Sequence, residues 1–170
     1  MLWEMSKKRR PESSTIFRRV EPVIHDATRP TGKRAIMGEM KIVLVEPEFE
    51  MATFLSALME SSDCRPVVVE NPKECLDLSH EERPDCIIIN IMSLADEGIS
   101  LYLDLKCDDC LCDVPVILLS PISRKTFEQY PSYRKARQEK RVPEPDAFLE
   151  IPSETDEIVN IVKGMAARAG

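Results

Sequence analysis

Three cysteines within six positions, Cys107-x-x-Cys110-x-Cys112, are the densest group of chemically competent side chains in the sequence. Thiolates this closely spaced can hold zinc or an iron–sulfur cluster, or pair as a redox disulfide. A metal site needs a fourth ligand, and His80 and Cys64 are candidates only if the fold carries them to this loop. The plainer reading, taken here as the expectation, is a surface loop between a helix and a strand with incidental cysteines and no cofactor.

A second place for chemistry lies at Asn90, the last residue of Pro84-Asp85-Cys86-Ile87-Ile88-Ile89-Asn90. An unbroken β-branched run after a Pro-Asp turn predicts a strand buried on both faces. Strands of that kind sit inside parallel sheets, where ligand chemistry gathers at the carboxyl ends. Glu46, at the end of Met40-Lys41-Ile42-Val43-Leu44-Val45, and Ser120, at the end of Val114-Pro115-Val116-Ile117-Leu118-Leu119, occupy equivalent positions.

These ends need a scaffold to bring them together. Helical spacing of Met51, Phe54, Leu55, Leu58 and Met59 predicts a helix after the first strand. Residues 66–69 predict a second strand. Asn71 as a cap, Pro72 in the first turn and Glu74 at the capping-box position open the next helix. Ile99, Leu101, Leu103 and Leu105 mark a third, and Ser132 is placed to cap a fourth running toward Lys140. Residues 147–151 predict a fifth strand. Ser153 then caps a last helix with Ile158, Val159, Ile161, Val162 and Met165 inward. Strands alternating with helices predict an α/β fold of the flavodoxin-like, doubly wound class, with a five-stranded parallel sheet covered on both faces.

Charge separates the chain into two parts. Residues 1–39 hold nine Lys/Arg against five Asp/Glu; the whole is −7, so residues 40–170 carry −11. The first part lacks a sustained apolar period and reads as a flexible or partner-docking basic arm, with Ile16-Phe17 and Val23-Ile24 as short anchors. The acidic body argues against general nucleic-acid binding, which needs a basic face. No run approaches the about 18 apolar residues of a membrane span, and no secretory signal opens the chain, so a cytoplasmic protein is expected. Cys75 and Cys86 fall in predicted core elements and read as small hydrophobes.

Over residues 40–165 the sequence resembles the receiver (response-regulator) domains of two-component signalling. The features that carry the resemblance are Lys41-Ile42-Val43-Leu44-Val45-Glu46, Pro84-Asp85-Cys86-Ile87-Ile88-Ile89-Asn90, Glu97-Gly98, the run 114–120, and Phe148-Leu149-Glu150-Ile151-Pro152. The resemblance implies strand order 2-1-3-4-5. It also implies an activity: transfer of a phosphoryl group from a histidine kinase to an aspartate ending the third strand. An acidic pair after the first strand helps hold Mg²⁺, with a Ser or Thr after the fourth strand and a Lys before a proline after the fifth.

Only part of that set is present. Glu46 takes the first acidic position, Pro47 the second, Asn90 the acceptor position, Ser120 the hydroxyl position and Ile151 the lysine position. Leu94 stands where the family usually has a proline. An amide has no ionised oxygen with which to form an acyl phosphate. Without a second acid or a cation, neither Mg²⁺ nor the charge of a transferring phosphoryl group is offset. The expectation is therefore a degenerate pseudo-receiver: not an enzyme, independent of phosphorylation, and acting as a signalling and protein-interaction module. No DNA-binding helix pair follows, so direct transcription control is not expected. In the family, the surface of the fourth helix, fifth strand and fifth helix meets partners, and a strand aromatic helps switch it. Phe148 takes that place, beside Arg124, Lys125, Arg134, Lys135, Arg137, Lys140 and Arg141. An acidic protein partner docking there is expected, with plain core packing for Phe148 and a solvated basic face as alternatives, and homodimerisation left open.

Overall fold

The computed structural model describes residues 39–94, 96–140, 143–151 and 154–169. The arm up to residue 38, Arg141, Pro152 and Ser153 lie outside the described residues, as does the side chain of Lys140.

Five strands form one sheet: β1 (Met40–Val45), β2 (Cys64–Val69), β3 (Cys86–Asn90), β4 (Val116–Ser120) and β5 (Ala147–Glu150). All neighbours are parallel, and their order is β2-β1-β3-β4-β5, as the resemblance implied. The three central strands are the most apolar, and burial follows: Ile87, Ile88 and Ile89 are inaccessible to solvent. β2 is an edge strand, which accommodates Pro66 without loss of a central ladder bond. Pro115 precedes β4 instead of opening it, because Val114 turns back to donate its N–H to Leu111 O at 2.9 Å.

Alternation along the strands feeds two cores. On one face Ile42, Leu44, Ile88, Ile117 and Leu119 meet α1 (Phe49–Glu60) and α6 (Thr155–Ala169) through Leu55, Met59, Ile158, Val162 and Met165. On the other, Val43, Val45, Ile87, Ile89, Val116 and Leu118 meet α2 (Pro72–Glu82), α3 (Asp96–Cys107), α4 (Arg124–Phe127) and α5 (Pro131–Lys140). Each fully buried Ile or Leu contributes about 1.5–3 kcal/mol of transfer free energy, so the central strands dominate fold stability.

The helix starts follow local chemistry. Asn71 Oδ1 accepts from Glu74 N at 3.0 Å, and Glu74 Oε2 reaches back to Glu70 N at 3.2 Å, one residue earlier than a simple capping box. Two expectations are corrected. Phe54 is not on the buried face of α1; it is 49% exposed, and Ala52 takes the inner position beside Leu55 and Met59. Ser132 does not cap a helix: α5 begins one residue earlier at Pro131, whose fixed φ suits a first turn. The segment between β4 and β5 also holds two helices, the first capped by Ser123 Oγ accepting from Thr126 N at 3.2 Å.

Candidate functional site

The parallel register sets Val45 opposite Ile89, so the residues that follow, Glu46 and Asn90, emerge side by side at the carboxyl edge. Glu46 is 1% exposed and Asn90 5%. Asn90 Nδ2 donates to Glu46 Oε2 at 2.5 Å, and Glu48 N donates to Glu46 Oε1 at 3.0 Å. Both oxygens of the buried carboxylate are therefore held by N–H groups. Ser120, fully buried at the end of β4, accepts from Ile122 N at 3.2 Å through Oγ. Ile151 donates its backbone N–H to Ser120 O at 2.8 Å just past β5 and leaves a half-buried aliphatic side chain there.

The neighbouring acids are turned away. Pro47 is exposed and offers no ligand atom. Glu48 is the N-cap of α1, accepting from Glu50 N at 2.9 Å and Met51 N at 2.8 Å. Electrostatics fixes the Asn90 amide: reversing it would press a carbonyl oxygen against a buried carboxylate, whereas the observed orientation makes a charge-assisted hydrogen bond. As a result Asn90 Oδ1 is buried with no hydrogen-bond partner among the described residues, a cost of about 1–3 kcal/mol. Gly98 closes this edge. A Cβ there would lie 2.8 Å from Ile91 O, so only glycine lets the first turn of α3 approach the chain leaving β3.

Phe148 is half-buried and belongs to an aromatic cluster. Its ring lies 5.3 Å from Phe127, which in turn lies 4.6 Å from Tyr133. Tyr133 meets Tyr102, whose hydroxyl donates to Pro143 O at 2.6 Å. Burial pushes the Tyr102 phenol well above its ordinary range. Of the basic residues, Arg134 and Lys135 are exposed. Arg124 and Arg137 instead converge on Glu144, at 2.5 Å and 3.2 Å, and their hydrogen bonds hold that carboxyl below the usual range. Arg137 also lies over Tyr133, 5.9 Å from the ring centre.

The cysteine-rich segment is a surface loop between α3 and β4, as the plainer reading expected, but its thiols do not gather with one another. Among the described residues the metal-competent group of three is His80, Asp108 and Cys110, while Cys107 and Cys112 stand outside it. Cys64 is buried in the core beneath α1 and α6, so it does not supply a ligand to the loop. Lys106, with a side chain only 5% exposed, anchors the loop by donating to Cys112 O at 3.2 Å, Val114 O at 2.9 Å and Asp146 Oδ2 at 3.0 Å. Lys106, Asp108, Glu144 and the partners of Phe148 escaped sequence reasoning. The spacing of Phe127 and Tyr133 from Phe148 carries no local signal, and nothing local ties Asp108 to His80.

No family model matches the chain. It is similar to the polar-differentiation response regulator DivK of Brucella anthropi, 31% identical over 93 residues that span 55% of this chain and 75% of that protein. Among solved structures it is similar to the signal receiver domain of a signal transduction histidine kinase from Syntrophus aciditrophicus: 25% identity, TM-score 0.62, 76% of this chain and 91% of the other. It also matches the receiver domain of the sensor histidine kinase PA1611 from Pseudomonas aeruginosa, which has a magnesium ion coordinated in its active-site cleft. That match has 18% identity and a TM-score of 0.61 over 76% of this chain and 99% of the other.

Proposed function

This chain belongs to the receiver-domain family of response regulators, and on that premise we propose that it is a pseudo-receiver, signalling through protein contacts without being phosphorylated. The observation that carries this reading is the hydrogen bond from Asn90 Nδ2 to Glu46 Oε2. An amide donor occupies the acceptor position, and its partner is the acid that would otherwise face a cation.

The chemistry supports this reading at each position. An acyl phosphate requires a carboxylate nucleophile, which an amide does not provide. Mg²⁺ does not suit the residues present. A hard cation takes several oxygen ligands, carboxylates prominent among them, yet here one carboxylate faces the site and both of its oxygens already accept N–H donors. Asn90 Oδ1 is a spare oxygen but a neutral one. At the place of the family's lysine, Ile151 supplies no charge to offset a phosphoryl group. The Asn–Glu bond thus stands where a bound cation stands elsewhere: it gives a buried acid a hydrogen-bond donor, though no charge.

In this proposal residues 40–170 are a receiver-like interaction module and residues 1–39 a basic docking arm. The module is non-enzymatic, works in the cytoplasm and meets an acidic protein through Arg134, Lys135 and the Phe148 surface. Arg137 is there a structural partner of Glu144 and Tyr133 more than a free charge. Incubating the full chain with acetyl phosphate and Mg²⁺ and measuring intact mass tests the central point. No phosphoryl-sized mass gain is expected; a stoichiometric gain on this chain overturns the reading.

A further inference from the structure

At the opposite, amino-terminal edge of the sheet, α2 ends and the loop after α3 begins. His80, in the last turn of α2, places Nε2 3.0 Å from Asp108 Oδ2. One ligand atom each from His80, Asp108 and Cys110 lies within 4.8 Å of the other two. The three residues are exposed or partly exposed, so an ion can reach them without unfolding the domain. We propose that His80 Nε2, Asp108 Oδ2 and Cys110 Sγ form a zinc-binding site, with water in the fourth position.

Three features carry the assignment. The first is the donor set. Imidazole, carboxylate and thiolate together suit a borderline-soft ion with tetrahedral preference and disfavour Mg²⁺ or Ca²⁺, which take oxygen. The second is reach. Zinc bond lengths imply ligand atoms about 3.3–3.6 Å apart; the His80–Asp108 pair is already tighter than that, and all three ligand atoms lie within 4.8 Å of one another. The third is preorganisation. Asp108 Oδ1 accepts from Cys110 N at 2.8 Å and Leu111 N at 3.1 Å, so Oδ2 is the oxygen left to turn toward His80. Asp108 O accepts from Cys112 N at 2.9 Å, and Lys106 pins the loop from below.

Charge closes as well. Asp108 offers a carboxylate and Cys110 a thiol that becomes a thiolate on a metal. On binding, Cys110 releases its thiol proton to solvent, and the two negative ligands then offset the two charges of zinc while neutral His80 contributes a lone pair. This inference does not rest on the silent receiver site, and the two stand or fall separately. It departs from the expectation that the chain carries no cofactor, and it replaces the Cys107/Cys110/Cys112 set with a mixed one.

The test uses the full chain, reduced and stripped of metal, titrated with zinc alone against a chromophoric chelator and separately with cobalt. One zinc per chain is expected, with a tetrahedral cobalt spectrum that includes a thiolate charge-transfer band. His80→Ala is expected to weaken zinc at least about 10-fold, and Cys110→Ser to abolish the charge-transfer band. Cys107→Ser and Cys112→Ser are expected to bind as the parent does. Should Cys110→Ser fold poorly, alkylation of the parent chain gives a second readout: zinc protects Cys110 and leaves Cys107 reactive. Absence of stoichiometric zinc, undiminished binding by His80→Ala, or loss of binding through Cys107→Ser or Cys112→Ser overturns the proposal.

Discussion

The two edges of the sheet hold polar groups on opposite terms. At the carboxyl edge, Glu46, Asn90 and Ser120 are buried, and apart from Asn90 Oδ1 their side-chain atoms have partners within the site. At the amino edge, His80, Asp108 and Cys110 converge in the open. Under the reading proposed above, the family's usual reactive end is the inert one. Low dielectric explains why: a buried acid without a cation must find donors, and once it has found them it has little left to offer a ligand. An exposed cluster is under no such pressure: its His80–Asp108 contact is open to solvent and can be exchanged for an ion.

Asn90→Asp should break this contrast most sharply. It sets two carboxyls face to face, one of which cannot remain ionised at low cost. A loss of about 3 kcal/mol near neutral pH is expected, by analogy with leaving a buried charge uncompensated. The sign is checkable. The pair is more basic folded than unfolded, so the deficit is absent well below the ordinary carboxyl range, grows as pH rises through it and levels off above the folded-state midpoint. Denaturant melts of parent and variant at acidic and neutral pH measure it; an unchanged midpoint at neutral pH would show that the Asn90–Glu46 bond does not hold this edge together.

Lys106→Met probes the support beneath the open edge. Three acceptors lose a charged donor, and about 2 kcal/mol of destabilisation is expected. The same variant should weaken zinc, because the loop carrying Asp108 and Cys110 loses its anchor. Retained stability in a chemical melt would contradict the anchoring role.

Thiol reactivity separates the interior from the amino edge without mutation. Burial pushes Cys75 up to about 11 and Cys86 up to about 12, and Cys64 is raised by the same cause. Three fast-reacting thiols (Cys107, Cys110 and Cys112) and three that react only on unfolding are expected with a chromogenic disulfide reagent. A fast phase with a different stoichiometry would place the loop or the core wrongly.

The smallest effect concerns Asp108 itself. Its folded-state pKa is depressed, chiefly by the Cys110 N–H and further by His80. Its contribution to stability is therefore present above the unfolded value and lost as pH falls through the folded one. Carboxyl NMR should find a midpoint below the ordinary aspartate range, moving upward in His80→Ala. No movement would mean that His80 and Asp108 do not meet in solution.

Much of the carboxyl edge is legible in the sequence, because strand ends are marked locally. Glu46 precedes Pro47, Asn90 ends an isoleucine run and Ser120 precedes Pro121, so a parallel sheet necessarily brings the three to one edge. The rotation of α1 was less legible: Met51, Leu55 and Phe54 all fit an apolar stripe, yet packing on the sheet selected Ala52 over Phe54. Arg137 looked like a free positive charge until Glu144, in the connector before β5, was seen to meet it.

The order of elements, the buried β3 and the loss of an acid at Asn90 were determined by sequence alone, since they depend on residue types and on periods of two and about 3.6 along the chain. Tertiary structure decided which groups answer one another across it: that Asn90 donates to Glu46, that Phe148 closes on Phe127, and that His80 meets Asp108 beside Cys110. Those pairings join residues 21 to 44 positions apart and are fixed by register, crossover and helix rotation together, none of which a linear pattern encodes.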